Sequence, residues 1–243
     1  MRRGVPLWLH PDGGRGLRAA PGPSLRPRPA PRALGLALGL VLLTGFTLPQ
    51  GLIEQVRREH GDTAAGRLEA WQGLAESLQG RPERERVAAV NDFFNRARFR
   101  GDPELHGERD YWATPVEFLT LNAGDCEDYS IAKYFTLAAL GVPDERLRIT
   151  YVKADTPGGE LAHMVLAYYP SPDADPVILD NLRPELVPAS RRGDLTPVYS
   201  FNGEGLWRSV ERGRGRPVAG GAGRIDLWKG LLRRVQRELG GRQ

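Results

Sequence analysis

Asn122-Ala123-Gly124-Asp125-Cys126-Glu127-Asp128-Tyr129-Ser130, running on through Ile131-Ala132-Lys133-Tyr134-Phe135 to Leu140, holds the only cysteine of the chain. Cys126 stands between two acids, directly before a helical pattern. A thiol reacts only as thiolate, and a helix N-terminus favours thiolate because unpaired N–H groups and the positive end of the dipole point at it. On position alone the simpler reading is a buried structural thiol, since free cysteine behaves as a small hydrophobe. Upstream, Thr114-Pro115-Val116-Glu117 predicts a short helix with a Thr cap, Pro in the first turn and Glu at the capping-box position. Gly124 is expected to turn the chain at positive φ and deliver Cys126 to the next helix. That helix, Cys126 to Leu140, would bury Ile131, Tyr134, Phe135 and Leu137 or Ala138 and stop at Gly141-Val142-Pro143.

The period then changes. Leu147–Val152, Ala162–Tyr169 and Pro176–Leu182 read as strands rich in branched and aromatic residues, joined at hairpin-like lengths. Before the cysteine, Leu52 to Leu78 fits two amphipathic helices broken at Gly61-Asp62, and Glu83 to Arg96 a third, with Val87, Val90, Phe93 and Phe94 inward. Helices followed by strands give an α+β fold, the cysteine-bearing helix packed on an antiparallel sheet.

Charge divides the 243 residues. Residues 1–50 carry seven Arg and one Asp, a net of +6, and residues 212–243 carry a net of +7. The total is +4, so residues 51–211 hold −9, which argues against a nucleic-acid partner for the folded part and suits a cationic ligand. Residues 1–50 form a basic presequence in which Ala33 to Leu48 is uncharged, with the length and flank of a signal h-region or an N-terminal anchor. Export to the periplasm is the expectation. Residues 51–211 form the domain, 212–224 a Gly/Arg-rich linker, and 225–243 a basic amphipathic helix with Ile225, Trp228, Leu231, Leu232, Val235 and Leu239 on one face. Docking on the domain, membrane contact and partner binding are all open to that helix.

A cysteine peptidase or acyltransferase needs an imidazole to take and return the thiol proton, and a third group to fix the imidazole tautomer. His163, expected at the start of the second strand, and Asp180, expected at the end of the third, follow Cys126 in the right order. Zinc is disfavoured, because no Cys-x-x-Cys or His-x-x-x-His pair accompanies these three residues. Asp125, Glu127 and Asp128 crowd the nucleophile with negative charge, which opposes thiolate. A hard cation with oxygen ligands, calcium above all, would neutralise them. The alternative is that Glu127 and Asp128 only favour the helix start.

The Asp125–Tyr134 run, preceded by Asp110-Tyr111-Trp112-Ala113-Thr114-Pro115 and followed by His163-Met164-Val165-Leu166 and Leu179-Asp180-Asn181, resembles the bacterial transglutaminase-like cysteine peptidases of the periplasmic LapG type. That resemblance covers about Val90 to Trp207. It implies a papain-like fold, Cys126 as nucleophile, His163 as base, Asp180 as its orienter, and calcium on Asp125, Glu127 and Asp128. It also implies a large repeat-containing surface adhesin as substrate, cut in its N-terminal region to release cells from biofilm. The implied inhibitor is the periplasmic domain of an inner-membrane cyclic-di-GMP receptor. Two other readings stay open: transglutaminase-type transfer to an amine, and a non-catalytic calcium- or receptor-binding module.

Overall fold

The computed structural model describes residues 46–49, 51–208, 216–218 and 220–240. Most of the basic presequence and part of the Gly/Arg-rich linker therefore lie outside the described residues. No helix among those described is long and apolar enough to cross a membrane.

Three helices open the fold: α1 (Leu52–His60), α2 (Asp62–Ser77) and α3 (Glu83–Phe94). Gly61 breaks the first two apart at φ 84°, a conformation that a side chain would strain. A two-residue strand β1 (Arg98–Phe99) and a short helix α4 (Asp102–Leu105) follow, then α5 (Pro115–Leu121). Here the expected capping box forms: Thr114 Oγ1 accepts the Glu117 N–H at 3.1 Å, and Glu117 Oε2 accepts the Thr114 N–H at 2.8 Å. β2 (Ala123–Gly124) pairs in parallel with β1 and leads straight into α6 (Cys126–Ala139).

Helix α6 is the axis of the molecule. Eleven of its residues, from Asp128 to Ala138, are buried without a break, so it is enclosed on every side although Asp128, Ser130, Lys133 and Thr136 are polar. Helices α3 and α5 pack on it from one side and strands β3 (Leu147–Thr156) and β4 (Gly159–Tyr168) from the other. Across the helical layer, Trp71 of α2 donates Nε1–H to Thr136 Oγ1 at 2.9 Å.

β3 and β4 form a ten-residue hairpin that begins the sheet, with Val152 opposite His163. β5 (Val177–Leu179) and β6 (Val187–Pro188) extend one edge; β7 (Leu195–Phe201), β8 (Leu206–Arg208) and β9 (Arg216–Pro217) extend the other. The sheet is seven-stranded and antiparallel, in the order β6-β5-β4-β3-β7-β8-β9. Three strands were expected. β7 carries Thr196, Val198, Tyr199 and Phe201 but is interrupted by Pro197, and β8 has only Trp207 among its three residues, so the pattern did not mark either as a strand. The third strand is also shorter than predicted: Asp180 Oδ1 accepts the Leu182 N–H at 2.9 Å, a turn that ends β5 at Leu179.

The C-terminal helix α7 (Asp226–Leu239) lies on the main core. Trp228, Leu231 and Val235 are buried, and Trp228 stacks on Phe135 of α6 and meets Phe201 of β7 edge-on. Its apolar face is thus taken up by the domain. Arg234 also donates to the Trp112 carbonyl and lies 4.6 Å over the Tyr111 ring. Residues Phe46 and Leu48, counted with the presequence by composition, are likewise buried in this core.

Candidate active site

Cys126 is the first residue of α6, partly buried, as the helix pattern predicts. The turn that delivers it differs from expectation. Asn122, not Gly124, takes the left-handed conformation, at φ 51°. Asn tolerates this better than most residues because its short polar side chain can bond locally. Gly124 is needed for space instead: a Cβ there would come within 2.6 Å of Asp128 Oδ2 and 2.7 Å of Phe118 Cδ2.

Asp128 fills that space. Its carboxylate accepts the Ala113 N–H at 2.7 Å on Oδ1 and the Asp125 N–H at 3.1 Å on Oδ2, tying the helix start to the loop before α5. Asp125 and Asp128 thus form the capping box of α6, and for Asp128 burial, ahead of repulsion from Glu127, raises the pKa.

The other acids meet a further pair that the sequence did not mark. Oxygens of Asp102, Asp110 and Glu127 lie within 4.8 Å of one another, and ligand atoms of Asp125, Cys126 and Glu127 do the same. Oδ1 of Asp102, of Asp110 and of Asp125 are each buried without a hydrogen-bond partner. Buried carboxylate oxygens left bare in this way are costly unless something compensates them. Burial and then the neighbouring Glu127 push Asp125 up to about 11, and Asp102, for which burial dominates, rises to about 6. Asp102 also accepts the Tyr111 N–H at 2.7 Å, which fixes the loop carrying Asp110. Asp102 and Asp110 lie 24 and 16 residues before Cys126, too far for local spacing to reveal them. The Asp110-Tyr111-Trp112 run was the available signal. Trp112 itself is core, stacked on Phe201 at 5.5 Å.

The thiol is held by its neighbour. Cys126 Sγ donates to Glu127 Oε2 at 3.0 Å, and burial, with Glu127 and Asp125 adding, raises its pKa well above the ordinary thiol value. The Met164 backbone N–H bonds toward the sulfur and opposes this rise. Met164 follows His163 on β4, so the helix start lies against the strand that carries the histidine. Among the described residues no hydrogen bond joins Cys126 to His163 directly; Glu127 occupies the thiol.

His163 stands in the middle of β4, four residues beyond its first residue, because the Lys153–Glu160 and Thr156–Gly159 pairings extend the hairpin past the predicted start. Its Nε2 bonds Asp180 Oδ1 at 2.8 Å, with both side chains 2% exposed or less. Burial alone would raise the Asp180 pKa, but the hydrogen bond and charge of His163, the Arg192 guanidinium and the Leu182 N–H outweigh it and hold it at about 2. An ionised carboxylate on Nε2 keeps the proton on that nitrogen and leaves Nδ1 as the free base. Arg192, absent from the sequence reading, bonds Asp180 Oδ2 at 2.8 Å.

A thiol at the start of the central helix, laid against a strand with a buried His–Asp pair, is the layout of papain-like cysteine hydrolases. The chain belongs to the bacterial transglutaminase-like cysteine proteinase family, BTLCP, which matches residues 51–211. The family resemblance carried by the Asp125–Tyr134 run and its flanking segments, and the α+β fold expected from helices followed by strands, are therefore correct.

Among solved structures the chain is similar to LapG of Legionella pneumophila. The EGTA-treated form is 40% identical over 79% of this chain and 99% of that one, with a TM-score of 0.67. The calcium-bound form is 42% identical over 75% and 97%, with a TM-score of 0.64. No curated protein matches the chain.

Proposed function

We propose that the chain is a calcium-dependent cysteine endopeptidase in which Cys126 is the nucleophile, His163 the general base and Asp180 its orienter. The observation that carries this reading is the buried His163–Asp180 pair beside the Met164 N–H that bonds toward Cys126 sulfur. Glu127, Asp125, Asp102 and Asp110 would hold the cation, with Asp128 keeping the loop in place. The bare buried Oδ1 atoms of Asp102, Asp110 and Asp125 fit a hard, oxygen-seeking ion, and the calcium-bound relative supports calcium. Bound there, calcium would supply positive charge that offsets the carboxylates around the thiol.

The rest follows from the chain's own residues. The Cys126 thiol gives its proton to Nδ1 of His163; a cation held by Glu127 would free the thiol from the carboxylate that now accepts its hydrogen. The thiolate attacks a backbone carbonyl, and the Cys126 N–H at the helix start is a natural donor to the developing oxyanion. His163 then protonates the leaving amine and afterwards takes a proton from water, which hydrolyses the thioester.

The physiological substrate in this proposal is the N-terminal region of a large repeat-containing surface adhesin, cleaved in the periplasm so that cells leave a biofilm. The restraining partner is the periplasmic domain of an inner-membrane cyclic-di-GMP receptor. Both follow from likeness to the LapG type. The test is cleavage of an N-terminal adhesin fragment with calcium and with chelator. Cys126→Ala should abolish cleavage while keeping the wild-type circular dichroism spectrum. Cleavage that survives in Cys126→Ala, or is indifferent to chelator, would sink the reading. Incorporation of a labelled primary amine in place of hydrolysis would instead favour amine transfer.

A further inference from the structure

Asp180 is gripped from both sides. Oδ1 meets His163 Nε2 and Oδ2 meets Arg192 Nη2, each at 2.8 Å. Arg192 is itself held by Asp194, whose carboxylate takes Nε at 2.9 Å and Nη2 at 2.8 Å. The His163, Asp180 and Arg192 side chains are 2% exposed or less, and Asp194, at 37%, is the end of the chain that reaches water. The result is a line of alternating charge, Asp194–Arg192–Asp180–His163, closed when the imidazole is protonated.

We propose that Arg192 is a positioning residue for the reaction, acting on His163 through Asp180. This rests on the Cys126, His163 and Asp180 assignment above. A carboxylate bonded on one oxygen can swing about its last torsion, which is broad for Asp. A charged N–H from Arg192 Nη2 on the second oxygen, from a guanidinium that the Asp194 carboxylate fixes on two nitrogens, removes that freedom and keeps Oδ1 on Nε2. Arg192 also supplies the permanent charge at this point. From α6, Lys133 faces Asp180, and Asp92 of α3 acts on Lys133, but burial pushes the Lys133 ammonium down to about 7. From the segment after β5 only the Leu182 N–H reaches Asp180. Arginine cannot lose its proton in the working range, so it keeps Asp180 ionised where lysine would not.

Arg192 also lines a cavity of about 780 Å³ on the sheet face opposite α6, walled by Val152, Val165, Ile178 and Leu195. A small solute can therefore approach the space its side chain occupies without crossing the Cys126 side.

The test compares Arg192→Ala, Arg192→Lys and Asp194→Asn with the wild-type chain in calcium-saturated cleavage of the adhesin fragment. Arg192→Ala should lose roughly 10- to 100-fold in kcat, the range seen when outer partners that orient imidazole ligands are removed, with KM little changed. Added guanidinium should recover part of that loss in Arg192→Ala and none in Cys126→Ala. The acid limb of kcat/KM should move to higher pH, because losing a cation beside Asp180 raises the affinity of both Asp180 and His163 for protons. Arg192→Lys should fall between. Should Arg192→Ala fail to fold, Asp194→Asn decides the matter: it should lower kcat less, and the limb should move to lower pH, because removing the Asp194 anion lowers the proton affinity of Asp180 and His163. Wild-type kcat and an unmoved acid limb in the folded variants, with Cys126→Ala and His163→Ala inactive, overturn the Arg192 role alone. Activity surviving in Cys126→Ala overturns the site assignment and this role with it.

Discussion

Replacing Lys133 by Met should make the protein more stable at pH 6, and the gain should fade by pH 10. Lys133 is 1% exposed in the middle of α6, and its Nζ has no hydrogen-bond partner; its nearest compensation is the Tyr129 ring, 5.8 Å away. Burial, only partly opposed by Asp180 and Asp92, lowers its pKa from 10.5 to about 7. A lysine depressed in the folded state binds fewer protons there than in the unfolded chain between those two values. Stability therefore rises with pH across that window, and the full penalty applies below it. At 1.36 kcal/mol per pH unit the gap is worth about 5 kcal/mol as an upper bound. Met keeps most of the apolar stem, so a gain of roughly 3–5 kcal/mol at pH 6 is expected, against a total stability of about 5–15 kcal/mol for an ordinary domain. Urea titrations of both proteins at pH 6, 8 and 10 in saturating calcium give the difference directly, since the remaining groups titrate alike and cancel. A Lys133→Met protein less stable than wild type at pH 6, or a difference that stays flat to pH 10, would refute the account.

Gly124→Ala should cost about 1–3 kcal/mol in thermal or urea unfolding, because the new methyl must displace Asp128 or Phe118 from a packed site. An unchanged melting temperature would show that the turn has slack the structure does not. Asp102→Asn and Asp110→Asn should each weaken calcium binding measured by calorimetry while leaving the His163–Asp180 pair untouched. In the wild type, calcium affinity should fall as the pH drops below about 6, where Asp102 takes up a proton that competes with the cation. Calcium affinity equal to wild type in both variants would remove these acids from the site.

The sequence carried the parts of this fold that rest on local chemistry. Thr114-Pro115-Val116-Glu117 is a complete helix start, and Ile131, Tyr134, Phe135 and Leu137 mark the buried positions of the next helix. The order Cys126, His163, Asp180 was legible because hairpin connections restrict which strand positions can meet. What escaped depended on the third dimension. Asp102 and Asp110 reach Glu127 only because the Asp102–Tyr111 bond folds their loop back, and a single bond between residues nine apart leaves no periodic trace. Gly124 was assigned a conformational role when its role is steric, since only the finished packing of Asp128 and Phe118 shows the lack of room. Arg192, next to Arg191, has no local sign of burial in the sequence. Its burial is decided by Asp180 and Asp194, which flank it in space.

Phe46 and Leu48 deserve a practical reading. Phe46 tilts onto Trp71 at 4.7 Å between ring centroids, and the Leu48 N–H bonds Gln72 Oε1 at 3.2 Å. A recombinant form begun at Gly51, where the family match starts, would strip a cover from the largest side chain of α2 and forfeit about 1.5–3 kcal/mol for the phenyl ring alone. The boundary set by composition and the boundary set by packing differ by these few residues, and it is the second that an expression trial would feel.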